Sequence, residues 1–190
     1  MVRILTQLSA ALVLMIGLVP TTHAETPWVV DPGRSEVTFE YVKDGAPTEG
    51  LFREFEGSGT FDPDNPTAAR FELRIRSKSI DLFDSMASGF ATSAEWFDSA
   101  NHPNVVYLLN KLTPISEGTY LAEGDITIRG KTDQLRSNLS LSFEGTTAKA
   151  TGTLTIKRTD FLLGVGPSAL FVEIGPDVLV SFALVAQQAR

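Results

Sequence analysis

Arg70-Phe-Glu-Leu-Arg-Ile-Arg-Ser-Lys-Ser79 decides the fold class. Phe71, Leu73 and Ile75 fall on one side of an extended chain, and Arg70, Glu72, Arg74, Arg76 and Lys78 on the other. Successive strand side chains point to opposite faces, so this alternation describes a strand with one oily and one wet face. The same period of two runs through residues 35–42, 54–61, 105–111, 119–129, 135–143, 148–157 and 177–185, making eight runs with 70–79. Turn-forming clusters separate them: Asp62-Pro-Asp-Asn-Pro66, Glu117-Gly118, Arg129-Gly-Lys131, Glu144-Gly145 and Gly175-Pro176. Residues 84–99 depart from the pattern. There Met86, Phe90, Ala94 and Phe97 recur at helical spacing behind Asp84 or Ser85 as cap, and Asn101-His-Pro103 closes the segment. The expected fold is all-β: one eight-stranded antiparallel barrel with one short helical crossover.

Which stripe faces inward decides the kind of barrel. A membrane-spanning barrel turns apolar residues to lipid and polar ones to its lumen. One stripe of 70–78 is wholly charged, and Arg129, Arg136, Lys149 and Lys157 occupy equivalent stripes. Each Arg or Lys held at the bilayer centre costs about 2–4 kcal/mol. The charged stripes therefore belong in water, and the apolar stripes in the lumen. Those inner stripes carry many small residues: Gly57 and Gly59 between Phe55 and Phe61, Ala122 and Gly124 before Ile126, Ser137 beside Leu139, and Ala148, Ala150 and Gly152 before Leu154. Eight strands are just enough to be filled by side chains or to hold one small ligand. Small residues favour a ligand cavity, whereas glycines at sheet bends and alanines against bulky partners would describe a filled core. On the cavity reading the lining is Val37, Phe39, Phe55, Phe61, Phe71, Leu73, Ile75, Ile126, Leu139, Leu141, Ala150, Leu154, Phe161, Val180 and Phe182.

The charge balance narrows the partners. The 190 residues hold 16 Lys+Arg against 23 Asp+Glu, a net charge of −7, which is the wrong sign for a nucleic-acid or anionic-lipid surface. There is no Cys, which excludes disulfides, thiolate metal sites, a cysteine nucleophile and a lipidated N-terminal Cys. Residues 1–24 read as a signal peptide: Arg3, then 12 apolar residues from Leu8 to Val19, then Pro20-Thr-Thr-His-Ala24 as cleavage site. Twelve apolar residues are too few to span a bilayer, which takes about 20. The mature domain is then 25–190, carries −8 and keeps one histidine, and its expected compartment is the periplasm.

The chemistry-bearing motifs are few. His102 has Asp98 nearby in sequence but no identifiable nucleophile, so no catalytic residue is assigned and the protein reads as a non-enzyme. Gly130-Lys-Thr132 lacks both the first glycine and the helix of a phosphate loop. Asp62-x-Asp64-Asn65 lacks the glycine and terminal glutamate of a calcium loop and reads as an Asx turn. Asn138-Leu-Ser140 is a mid-strand glycosylation sequon, and no metal site is expected. Arg158, ahead of Asp160 and a Gly-rich loop, reads either as a fork for an anionic head group or as a structural contact closing that loop.

Several motifs taken in order resemble the YceI-like family of exported, lipocalin-like proteins. They are Trp28-Val-Val-Asp31 with Ser35-x-Val37-x-Phe39, Gly50-x-Phe52-x-x-Phe55-x-Gly57 leading to Phe61-Asp-Pro63, Trp96-Phe-Asp98 before His102-Pro103, Gly124-Asp-Ile-Thr-Ile-Arg-Gly130-Lys-Thr132, and Arg158-Thr-Asp-Phe161. The resemblance covers Trp28 to about Val185. It implies a lipocalin-like barrel whose lumen binds a long apolar chain: a polyisoprenoid, an isoprenoid quinone or a fatty-acid derivative. The wording around Gly45–Phe61 and Trp96 is similar to members that accompany membrane diheme cytochromes, which implies a quinone and a membrane-protein partner, and the family resemblance as a whole implies a homodimer. Two features depart from the family pattern. Ser85–Ala94 is nearly uncharged, and Tyr41 and Lys43 stand where a histidine is frequent. The other functional class compatible with the residues is an exported interaction module with a filled barrel.

Overall fold

The computed structural model describes residues 26–62, 64–167 and 171–189. The leader expected at 1–24 lies outside them. Eleven strands form one sheet: β1 Thr26–Val30, β2 Glu36–Lys43, β3 Ala46–Phe52, β4 Phe55–Phe61, β5 Arg70–Arg76, β6 Ile80–Asp81, β7 Asn104–Ser116, β8 Thr119–Ile128, β9 Lys131–Glu144, β10 Thr147–Lys157 and β11 Ile174–Gln188. Every pairing is antiparallel. The ring β1-β4-β5-β7-β8-β9-β10-β11 closes through Trp28↔Gln188, Val29↔Gln187 and Val30↔Ala186, so eight strands surround a lumen.

The three additional strands extend the ring lengthwise. β1 and β2 both run beside β11, at Ala186–Gln188 and at Ile174–Ala183 respectively, and are two halves of one bent pass. Pro32 breaks the ladder between them, and side chains take over its hydrogen bonds. Val185 N donates to Ser35 Oγ at 2.9 Å, and Gly33 N donates to Asp31 Oδ1 at 3.0 Å. The next pass, β3–β4, bends at Arg53 and Glu54, whose amides reach Ser79 O at 3.1 Å and Ser79 Oγ at 3.1 Å. The third, β5–β6, is interrupted at Ser77–Ser79, where the buried Ser77 hydroxyl donates to His102 O at 2.8 Å. The eight alternating runs of the sequence map one to one onto these eight passes.

Asp44 and Gly45 make the β2–β3 turn, at φ 49° and 79°, with Lys43 opposite Ala46. A two-residue hairpin turn needs this left-handed pair, which Asp-Gly supplies at low cost. The charged stripe of β5 lies outside, with Arg74 and Arg76 exposed, while Leu73 and Ile75 are buried.

The crossover differs from its expected extent. Helix α1 spans Ser85–Ala91, with Asp84 as cap accepting from Ala87 N at 2.7 Å, and residues 92–101 form turns. Adjacent Trp96 and Phe97 both pack inward, Trp96 on Arg158 and Phe97 edge-on to Phe52 at 5.8 Å. Thr92 N turns back to Gly89 O at 3.3 Å and ends the helix, and Asp98 at φ 46° is incompatible with a helix running on to Ser99. The expected apolar face also fails to bury: Met86 is 83 % exposed and Phe90 45 %, whereas Ala91 is buried.

Candidate ligand-binding lumen

Two cavities lie end to end inside the barrel. The lower one, about 190 Å³, sits between β1, β4, β5 and the β9–β10 hairpin and is walled almost wholly by carbon. Of the expected lining it contains Phe61, Phe71, Leu73, Leu139, Leu141, Ala150, Leu154 and Phe182. Ala150 pairs with Leu141 on one side and Leu184 on the other, so the β9–β10 hairpin expected from the sequence forms this wall. Its floor is aromatic. Phe61 and Phe143 stack at 4.9 Å and 17°, Trp28 tilts against Phe143 at 5.6 Å, and Tyr120 meets Phe61 edge-on at 6.3 Å.

The upper cavity, about 620 Å³, lies under α1 and takes in Phe39 together with residues absent from the expected lining: Tyr41 and Val178 on the same stripes, and Phe52, Phe90, Trp96 and Phe97 outside the alternating runs. Polar side chains border it, among them Lys43, Thr48, Asp84 and Arg158. Val37, Ile75, Ile126 and Val180 line both cavities. Phe55 and Phe161 are buried in the core but border neither.

Arg158 is held by backbone. Its Nε donates to Gly175 O at 2.8 Å, Nη1 to Leu163 O at 2.5 Å and Gly164 O at 3.1 Å, and Nη2 to Ile174 O at 2.6 Å. Four of five N–H donors thus pin the 162–164 segment to the start of β11, in the manner of a loop-closing contact. The guanidinium still borders the upper cavity and covers Trp96, whose buried indole N–H has no partner among the described residues.

The inner glycines have a reason other than free volume. A Cβ on Gly57 would meet Phe71 at 2.9 Å, on Gly124 the Tyr107 ring at 2.7 Å, and on Gly152 the Phe182 ring at 2.6 Å. These glycines make room for cross-strand aromatic rings. Open space lies instead over Ala150 and between the aliphatic side chains. Tyr107, desolvated in the lower wall and facing the charge of Asp125, has its phenol pushed up to about 12. Burial also raises the Tyr41 phenol.

The other motifs carry no assembled chemistry. His102 Nε2 stands 3.9 Å from Asp98 Oδ2 and its ring packs on Gly130, while the nearby Ser77 hydroxyl bonds the His102 carbonyl instead of the ring. Asp62 Oδ1 accepts from Asp64 N at 2.9 Å, an Asx turn.

A family model described as the YceI-like domain matches residues 28–186. The chain belongs to the YceI-like family. Among YceI-like relatives, a UPF0312 protein of Shewanella baltica is 25 % identical over 179 residues, covering 88 % of this chain and 94 % of that one. The crystal structure of Burkholderia cenocepacia BcnA matches with a TM-score of 0.76 at 28 % identity, over 82 % of this chain and 98 % of that one. A polyisoprenoid-binding domain from Saccharophagus degradans matches with a TM-score of 0.70 at 16 % identity, over 87 % of this chain and all of that one, a likeness of fold alone.

Proposed function

We propose that this YceI-like chain is an exported binding protein that carries one long-chain amphiphile in its barrel, with the chain in the lower cavity and the polar end above it. The observation that carries this reading is an unfilled lumen whose walls change from hydrocarbon below to mixed polar groups above. From Ala148 to Lys157 strand β10 rises about 30 Å, or about 23 Å of barrel height at the usual tilt. A single hydrocarbon chain suits that narrow, long space, and each CH₂ removed from water contributes about 0.8 kcal/mol before ordering costs. The ligand class is a polyisoprenoid, an isoprenoid quinone or a fatty-acid derivative, in keeping with the neighbour whose name declares polyisoprenoid binding.

The protein works by holding its ligand, not by transforming it. Its compartment is the periplasm, reached through cleavage after Ala24, and it hands cargo to a membrane protein or takes it from one. An upper cavity of about 620 Å³ exceeds the ~300 Å³ of the smallest usual ligand sites. That favours carriage over an interaction module with a filled barrel. Uptake of a fluorescent single-chain lipid such as cis-parinaric acid tests the reading. Saturable uptake at one probe per chain is expected, and delipidated protein that leaves the probe in water contradicts it.

A further inference from the structure

The two cavities share six lining residues: Val37, Ile75, Val105, Ile126, Ile156 and Val180. They come from six different strands, β2, β5, β7, β8, β10 and β11, and thus form a belt around the lumen where one cavity meets the other. All six are Val or Ile. Branching at Cβ holds χ1 in few rotamers, so this belt cannot swing aside as a ring of Leu or Met could. Five of the six are buried, and Val180 is the partly exposed one.

We propose that this belt is a fixed gauge that admits a single hydrocarbon chain to the lower cavity and so sets which ligands gain from added length. The proposal rests on the carrier reading above. A chain short enough to end above the belt binds in the upper cavity alone. A longer one must pass between the six branched side chains, and its extra carbons are then buried among Leu139, Leu141 and Ala150. Between Val37 and Lys43 strand β2 rises about 20 Å, or about 15 Å of barrel height. That height holds geraniol or farnesol. Geranylgeraniol has to cross the belt.

The test is titration calorimetry with geraniol, farnesol and geranylgeraniol on wild type, V180F and V180A. Val180 is chosen because it lines both cavities and is the one member of the belt that is not fully buried. For wild type and V180A, affinity should rise about tenfold or more from farnesol to geranylgeraniol, each ~1.4 kcal/mol being tenfold. V180F should lose that rise, its affinity for geranylgeraniol falling to that for farnesol. If V180F melts below the assay temperature, V180L takes its place, with a partial loss of the rise expected. A rise that survives in the folded bulky variant overturns the gauge while leaving the carrier reading intact. Equal weakening of all three alcohols also overturns it, because the upper cavity would then be what the substitution disturbs. Failure of wild type to bind any of the three overturns both readings together.

Discussion

The Arg158 guanidinium carbon stands 5.5 Å from the centre of the Trp96 ring, with its edge bonded to the carbonyls of Leu163, Gly164, Ile174 and Gly175. One side chain thereby ties three pieces of the barrel mouth together: the turn after α1, the loop after β10 and the entry to β11. A lysine keeps the charge but lacks the planar fork that reaches several carbonyls at once. R158K is expected to lose about 2 kcal/mol of stability, or about 4–8 °C in Tm for a chain of this size. Differential scanning calorimetry measures it; an unchanged Tm would show that the clamp contributes nothing.

Ala150 faces the lower cavity between Leu141 and Leu184. A phenylalanine there fills space that only a ligand chain would otherwise use. A150F should weaken uptake of a long-chain probe at least tenfold while keeping or raising the Tm of the ligand-free protein. In a close-packed wall the same change would cost about 1–3 kcal/mol. A fall of several degrees with uptake unchanged would place position 150 in packed core.

Gly124 and Gly89 should respond oppositely to alanine. A Cβ at Gly124 would lie 2.4 Å from Leu108 O and 2.7 Å from the Tyr107 ring, so G124A is expected to cost about 1–3 kcal/mol. Gly89 sits inside α1 with nothing within 4 Å of its Cβ position, so G89A should add about 0.5–1 kcal/mol. Urea denaturation of the two variants reports both signs.

Tyr107 makes stability fall at high pH. Its folded pKa of about 12 exceeds the ordinary value of 10.0, so folding favours the protonated phenol. This contribution is complete below pH 10 and is lost as pH rises through 12, because the unfolded chain ionises first. Two pKa units at ~1.36 kcal/mol each set an upper bound of about 2.7 kcal/mol. Wild type should therefore lose more stability than Y107F between pH 10 and 12, read as the difference between their urea midpoints. Parallel curves would refute the assignment.

The barrel was legible because its signal is local. A stripe such as Arg70–Arg76 alternates side by side whatever the rest of the chain does, and seven of the eight runs are strands of the closed ring; the eighth, 35–42, is β2, and the ring is closed by β1 at Thr26–Val30, which lies outside every run. The missed elements had weaker local signals. β3 contains Pro47 and Gly50, which read as turn residues, yet Pro47 lies where β3 has only β2 beside it, and Gly50 sits under the Phe39 ring. The Asp44-Gly45 dipeptide was the available clue to that hairpin. The lower cavity follows from the inward stripes. The upper cavity draws on α1, on Trp96 and Phe97 after it, and on the loop behind Arg158, which only the folded chain brings together. The inner glycines show the same limit, since the ring that fills each one belongs to another residue of the sheet.

Native mass spectrometry of the purified protein tests the central claim most directly. A chain beginning at Glu25 and carrying one adduct is expected, released by organic solvent as a single-chain amphiphile and regained when that molecule is added back. A bare chain mass that stays bare after incubation with isoprenoid alcohols, quinones and fatty acids would contradict the account.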